Sequence, residues 1–115
     1  MKKRYLTTAI ILILGVCFAF AQNPKKLYKE ATKLAEAKDY AGAIEQLNQA
    51  IELDAVYTDA YTLRGNYYNT IEKYDEALAD FEKAIELDPK LTDAYFNAAK
   101  IYYDKNVFDK ALALL

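Results

Sequence analysis

The chain has 115 residues, 54% of them apolar and 28% charged, a composition that is typical of one folded domain and excludes a disordered chain. Fifteen Lys and Arg stand against 17 Asp and Glu, which gives a formal charge of −2. This acidic balance disfavours nucleic acid and anionic membrane surfaces as partners, because both require clustered cations.

The N-terminal segment, positions 1–21, has a composition of its own. Three cations at positions 2–4 precede an apolar run from Leu6 to Ala21, with small residues, Ala19 and Ala21, at the −3 and −1 positions of a cleavage site. This layout predicts a secretory signal peptide, residues 1–21, cleaved after Ala21. Cleavage would remove three cations and no anion, so the mature chain would carry a formal charge of −5 in the periplasm or outside the cell.

Two alternatives remain open for this segment. The apolar run from Leu6 to Ala21 could be retained as a membrane anchor, although it falls short of the about 20 residues that cross hydrocarbon. The stretch from Leu14 to Cys17 resembles a bacterial lipobox, so acylation of Cys17 would make the protein a lipoprotein; Val16, however, stands where a small residue is expected. Without such an anchor, the mature domain is not expected to contact a membrane.

After the signal, helical patterns alternate with short breaks. Leu27 and Ala31 share one helical face after Pro24, a residue that suits the first position of a helix. Breaks at 38–39 and 72–73 divide the first two units into two helices each. Asp88-Pro89 ends the second unit, because the residue before a proline is disfavoured in a helix. The residues predicted to act as helix N-caps are Asp39, Thr58, Thr92 and Asn106.

The units repeat with a period of 34, since the segment Ala50–Asp54 recurs unchanged at 84–88. Small residues recur in register at Ala31, Gly65 and Ala99 and at Ala43, Ala77 and Ala111; large ones recur at Leu34, Tyr68 and Tyr102 and at Leu47, Phe81 and Leu115. Helices approach closely where side chains are small, and large neighbours fill the space beside the crossing. The pattern therefore predicts helix hairpins stacked side by side.

The second unit resembles the tetratricopeptide repeat family, with matches at Tyr61, Gly65, Tyr68, Tyr74, Ala77, Phe81, Ala84 and Pro89. The other two units match at fewer of these positions, and the resemblance covers about Pro24 to Leu115. It implies an all-α fold, a right-handed α-solenoid of antiparallel helix hairpins, as one domain over 22–115. Two complete repeats, about 24–57 and 58–91, would be followed by an incomplete third at 92–115.

The resemblance also implies a function, that of an exported scaffold whose concave groove, lined by the first helix of each repeat, holds a peptide or helix of a partner protein. Carried over position by position, the partner-binding residues would be Tyr28, Thr32, Asp59, Thr62, Asn66, Asn69, Phe96, Lys100 and Tyr103, with Lys25, Ala35, Glu36, Thr70, Asp93 and Asp104 beside them. The alternative is that these side chains only form the solvated surface of a solenoid.

Chaperone-binding members of the family clamp a terminal carboxylate with Lys, Asn and Arg side chains, because such an anion needs several converging donors. The corresponding positions here hold Tyr28, Thr32, Asp93 and Asn97. Asp93 would repel a carboxylate, so the sequence does not predict a chaperone clamp.

Catalysis has no candidate residues. The chain has no histidine, its single cysteine lies in the predicted signal, and its carboxylates are scattered. We therefore expect no enzyme activity, metal or cofactor. The alternative function is an N-terminal structural repeat segment of a longer envelope protein whose activity lies beyond residue 115. The apolar residues 111–115 are followed by no capping helix, which predicts either a continuing chain or self-association through the C-terminal helix.

Overall fold

The computed structural model describes residues 22–115, so the predicted signal peptide lies outside the described residues. Residues 22–115 fold into six helices and contain no strand. The helices are α1 (Pro24–Glu36), α2 (Tyr40–Leu53), α3 (Thr58–Thr70), α4 (Tyr74–Leu87), α5 (Thr92–Asp104) and α6 (Phe108–Leu114). Each helix packs against the next along the chain, which gives three hairpins in a row. The predicted all-α solenoid of stacked hairpins is confirmed.

The turn inside each hairpin has the same backbone conformation. Lys38, Glu72 and Asn106 occupy the same place in the three repeats and have φ angles of 62°, 63° and 61°. In the first turn the N–H of Asp39 donates to the carbonyl of Leu34 at 2.8 Å, a bond that satisfies a free carbonyl at the helix end. Asn106 was expected to cap α6 and does not. It is the left-handed residue of its turn, and Val107 holds the cap position without a side-chain bond.

The starts of the helices confirm one of the predicted N-caps and contradict the others. Pro24 begins α1, and Asp39 caps α2 by accepting from the N–H of Gly42 at 2.9 Å, as expected. The predictions for Thr58 and Thr92 are wrong, because both are the first helical residue and the cap positions hold Tyr57 and Leu91. An apolar or aromatic residue stands there because its side chain packs against the preceding hairpin.

The repeated segment Ala50–Asp54 makes the link between hairpins. The backbone N–H of Asp54 donates to the carbonyl of Ala50 and closes α2, while its side chain accepts from the N–H of Val56 at 3.2 Å. Asp88 does the same after α4, with its side chain accepting from the N–H of Lys90 at 3.1 Å. The aspartates at this position therefore turn the chain into the next hairpin.

The recurring small residues lie in the core as predicted. All six are buried, and Leu47 and Phe81 are fully buried beside them. Leu34, Tyr68 and Tyr102 are half-buried. The prediction for Leu115 is wrong: this side chain is exposed, because no helix in the described part of the chain packs over the last hairpin.

A polar network joins the first two hairpins. The guanidinium of Arg64 on α3 donates twice to the carboxylate of Asp80 on α4, at 2.6 and 2.8 Å, and once to the side-chain oxygen of Asn48 on α2, at 2.9 Å. The ring centroids of Tyr61 and Tyr68 lie 5.6 and 6.0 Å from the central guanidinium carbon of Arg64. Asp80 is only 4% exposed and is the one buried charged residue among residues 22–115.

Gly65 supplies a testable case of this packing. A Cβ at position 65 would lie 2.8 Å from an edge carbon of the Phe81 ring, which is fully buried. We expect Gly65→Ala to lower the free energy of unfolding by about 1–2 kcal/mol, because overpacking exceeds the gain in helix propensity. Urea unfolding measures this cost.

The chain itself offers the control. Its first repeat has alanine at this position together with Leu47 in place of the phenylalanine. Gly65→Ala should therefore be neutral or stabilising when it is introduced into the Phe81→Leu variant. An equal loss of stability in both backgrounds would mean that contact with the Phe81 ring is not what makes Gly65→Ala unfavourable.

Candidate functional site

A shallow depression of about 440 Å³ lies between the first two hairpins, on the side of their first helices. It is lined by Thr32, Ala35, Glu36 and Tyr40 from the first hairpin and by Leu63, Asn66, Tyr67 and Thr70 from the second. Of the residues predicted from the sequence, Thr32 and Asn66 lie here together, with Ala35, Glu36 and Thr70 beside them. We call this depression the groove.

Two aromatic pairs connect the hairpins near the groove. The rings of Tyr40 and Tyr67 are 5.8 Å apart between centroids, and those of Tyr28 and Tyr57 are 5.6 Å apart. Burial raises the pKa of Tyr28, with a smaller contribution from the negative charge of Asp59. Burial also raises the pKa of Tyr67. These phenols therefore stay neutral at physiological pH and can exchange hydrogen bonds with a ligand.

Asn66 extends the groove towards the third hairpin. Its side-chain oxygen accepts from the amide of Asn97 on α5 at 2.9 Å. The amide nitrogen of Asn66 keeps two donors, so this side chain can still donate towards an extended backbone. Thr32 already uses its hydroxyl hydrogen, which is donated to the carbonyl of Lys29 at 2.7 Å, and so it meets a ligand as an acceptor.

The remaining predicted residues do not line the groove. Phe96, Lys100 and Tyr103 line a second depression, about 510 Å³ in volume, on the outer face of the last hairpin. Its other lining residues are Ala99, Phe108, Ala111, Leu112 and Leu115. We call this surface the end face. The structure therefore divides the predicted site into two surfaces.

Three further predicted residues line neither depression. Thr62 donates its hydroxyl to the carbonyl of Thr58 at 3.2 Å. Asp59 is exposed, close enough to Tyr28 to affect the pKa of that phenol, and Asn69 is half-buried. Tyr28 likewise packs against Tyr57 outside the groove lining.

The sequence reasoning missed Tyr40, Leu63 and Tyr67 as groove residues. Tyr40 is the first residue of α2, and the other two lie on the side of α3 that packs against the first hairpin. The repeat register could have indicated the packing role of Tyr67. The equivalent position in α5 holds the apolar residue Ile101, which also packs on the hairpin before it.

Two classes of site have no candidates within residues 22–115. No three carboxylate, histidine or cysteine side chains lie together there as they would around a metal ion. None of the helices α1 to α6 has the length and apolar character needed to span a membrane.

Three stacked hairpins that recur at a fixed spacing define an all-α helical-repeat solenoid. Residues 58–91 match the family model of the tetratricopeptide repeat, a model of a structural repeat. No curated protein matches the chain significantly in sequence. The match and the structural neighbours described next support a tetratricopeptide-repeat protein.

The structure is similar to two crystal structures of MamA, with TM-scores of 0.79 and 0.77 and 28% identity in both. In both, the similarity covers 80% of this chain, and it covers 54% and 50% of the MamA chains. The chain thus spans about half the length of these relatives. It is also similar in fold to the second TPR of Spaghetti (RPAP3) bound to the HSP90 peptide SRMEEVD, with a TM-score of 0.77 and 22% identity over 81% of this chain and 86% of that one.

Proposed function

We propose that the chain is an exported scaffold that holds a segment of a partner protein in the groove. The observation that carries the proposal is the alignment of polar side chains from three consecutive first helices, with Thr32 and Asn66 lining one depression and Asn97 bonded to Asn66. Hydroxyl, amide and phenol groups beside aromatic rings suit an extended peptide, whose backbone needs both donors and acceptors.

The charges around the groove select the partner. Glu36 lines it, and the acidic residues Asp59 and Asp93 are exposed on the first turns of α3 and α5. We therefore propose a neutral or basic segment as the ligand. The second TPR of RPAP3 was solved with the acidic peptide SRMEEVD, but here Asn97 is already bonded to Asn66 and Asp93 would repel a carboxylate. An acidic C-terminal peptide is not the proposed ligand.

The groove proposal is tested by combining Thr32→Ala with Asn66→Ala. Copurification from the native envelope would identify the partner, and titration calorimetry would then measure its affinity. We expect a loss of about tenfold or more in affinity, since the central contacts of an interface carry most of its binding energy. A control variant combines Glu45→Ala with Glu52→Ala, two exposed positions on α2, and should bind normally.

Circular dichroism checks that both variants keep their helix content. Undiminished binding by the groove variant would remove the groove as the binding site. Tyr103 is left unchanged in this experiment because it lies on the end face.

The exported part of the proposal is supported by the layout of residues 1–21. Mass spectrometry of the protein from its own cells should find Gln22 as the first residue. A mass that includes residues 1–21 would indicate a membrane anchor, and a lipid adduct on Cys17 would indicate a lipoprotein. Either result would contradict cleavage after Ala21.

A second candidate function is that of a structural repeat segment within a longer envelope protein. The similarity to MamA covers only about half of those chains, which favours this candidate. Sequencing the coding region beyond the codon of Leu115 tests it directly.

A further inference from the structure

One end of the groove has a negative electrostatic potential. Glu36 is the last residue of α1 and Thr70 is the last residue of α3, and both line the groove. The C-terminal ends of two helices therefore meet there, and each carries about half a negative charge from its aligned peptide dipoles. The carboxylate of Glu36 adds a full negative charge. This end of the groove therefore favours a cation.

The chain does not supply that cation from residues 22–115. No lysine or arginine lines the groove, and no ion pair in this part of the chain involves Glu36. Lys33, in the last turn of α1, instead pairs with Glu30 at 3.0 Å, and Lys38 is exposed in the turn beyond α1. The last turn of α3 has no basic residue. A cation from a ligand would therefore be the first to contact this carboxylate.

Two tyrosine rings lie beside the carboxylate. Tyr40 and Tyr67 both line the groove, with ring centroids 5.8 Å apart and planes tilted by 52°, so the rings do not stack face to face. Burial raises the pKa of Tyr67, and the phenols of Tyr28 and Tyr40 and the charge of Glu36 add smaller contributions, which places these groups close together. The face of a tyrosine ring attracts a cation within about 6 Å of its centroid.

The chain already contains one site of this composition, filled by its own arginine. Arg64 donates twice to the carboxylate of Asp80, at 2.6 and 2.8 Å, and its central guanidinium carbon lies 5.6 and 6.0 Å from the ring centroids of Tyr61 and Tyr68. The end of the groove offers the same groups, one carboxylate and two tyrosine rings, on a surface that a ligand can reach.

We infer that Glu36, Tyr40 and Tyr67 form a subsite for one arginine side chain of the partner segment. The inference rests on the proposed function, because it takes the groove as the surface that holds the partner. An arginine suits the subsite better than a lysine. Its planar guanidinium binds a carboxylate at two points, stacks on an aromatic face and is more weakly hydrated than an ammonium group.

Peptide titrations test the inference without the native partner. The probes are two capped alanine pentapeptides, one with a central arginine and one with a central citrulline, which has a similar shape but no charge. Heteronuclear NMR of the whole chain follows binding through the amide signals of residues 35–40 and 63–70. We expect the arginine peptide to bind at least about fivefold more tightly, because the cation–π contact and the ion pair each contribute a factor of a few.

Substitutions in the chain identify the groups responsible. Glu36→Gln should weaken binding of the arginine peptide about threefold or more and leave the citrulline peptide unchanged. Glu45→Gln is the matched control, since Glu45 is also exposed but lies on α2 outside the groove lining, and it should affect neither peptide. Tyr67→Leu should also weaken the arginine peptide, whereas Tyr67→Phe keeps a ring and should bind it nearly normally.

Three results would each overturn the inference: equal binding of the two peptides, equal effects of Glu36→Gln and Glu45→Gln, or chemical-shift changes confined to residues outside the groove. None of them would contradict the groove as the partner-binding surface, which the variant combining Thr32→Ala with Asn66→Ala tests separately. Conversely, undiminished partner binding by that variant, together with Glu36-dependent binding of the arginine peptide, would contradict the polar contacts of the proposed function and support the subsite.

Discussion

Replacing Arg64 with alanine is expected to lower the free energy of unfolding by about 3–5 kcal/mol, because it leaves the buried carboxylate of Asp80 without a compensating charge. The guanidinium holds both carboxylate oxygens and the side chain of Asn48, and so it connects α2, α3 and α4. Urea unfolding followed by circular dichroism measures the loss.

Two further variants separate charge from geometry. Arg64→Lys keeps the charge but lacks the planar fork that binds a carboxylate at two points, so it should recover only part of the loss. Combining Arg64→Met with Asp80→Leu removes both charges and should cost less than Arg64→Ala alone. A loss below about 1 kcal/mol in Arg64→Ala would show that water reaches Asp80 after the substitution.

The cost of Arg64→Ala should also depend on pH. Burial raises the pKa of the Asp80 carboxyl, while the hydrogen bonds and charge of Arg64 oppose that rise. A carboxyl whose pKa is raised in the folded state contributes stability below its unfolded pKa and loses it as the pH rises through the folded value. In Arg64→Ala the pKa of Asp80 should rise further, because the guanidinium no longer opposes the effect of burial. The substitution should therefore cost most near neutral pH and less as the pH falls below about 4, where the carboxyl becomes protonated in the unfolded state as well.

Most of the fold could be predicted because its determinants repeat. The fixed repeat period brings small residues to each helix crossing, and these positions are buried as expected from Ala31 to Ala111. The hairpin turns could also be located, since the helical pattern fails at 38–39 and 72–73. Their conformation could not, because Lys38 and Glu72 adopt a positive φ that their side chains do not favour, and the turn imposes it.

Interactions that do not recur in every repeat could not be predicted from the periodic pattern. Arg64 and Asp80 correspond to Glu30 and Gln46 in the first repeat and to Ala98 and Leu114 in the third, so no periodic pattern indicates their pair. The same holds for the candidate site. Superposing the units predicted one continuous surface, but Phe96, Lys100 and Tyr103 lie on the end face, because no further helix within the described residues covers the third hairpin.

Position within the stack should therefore decide the cost of losing a core residue, and Phe81 and Leu115 provide the comparison. Both occupy the same place in the repeat, but Phe81 is fully buried against Gly65 and Leu115 is exposed. Phe81→Ala should lower the free energy of unfolding by about 3–5 kcal/mol, because neighbouring backbone cannot collapse into the cavity. Thermal unfolding followed by circular dichroism measures the effect.

Leu115→Ala, in contrast, should leave the thermal midpoint nearly unchanged, because the side chain of Leu115 is 81% exposed and loses little contact when it is shortened. The two variants are compared under the same conditions by circular dichroism. A destabilisation comparable to that of Phe81→Ala would mean that Leu115 packs within its own hairpin.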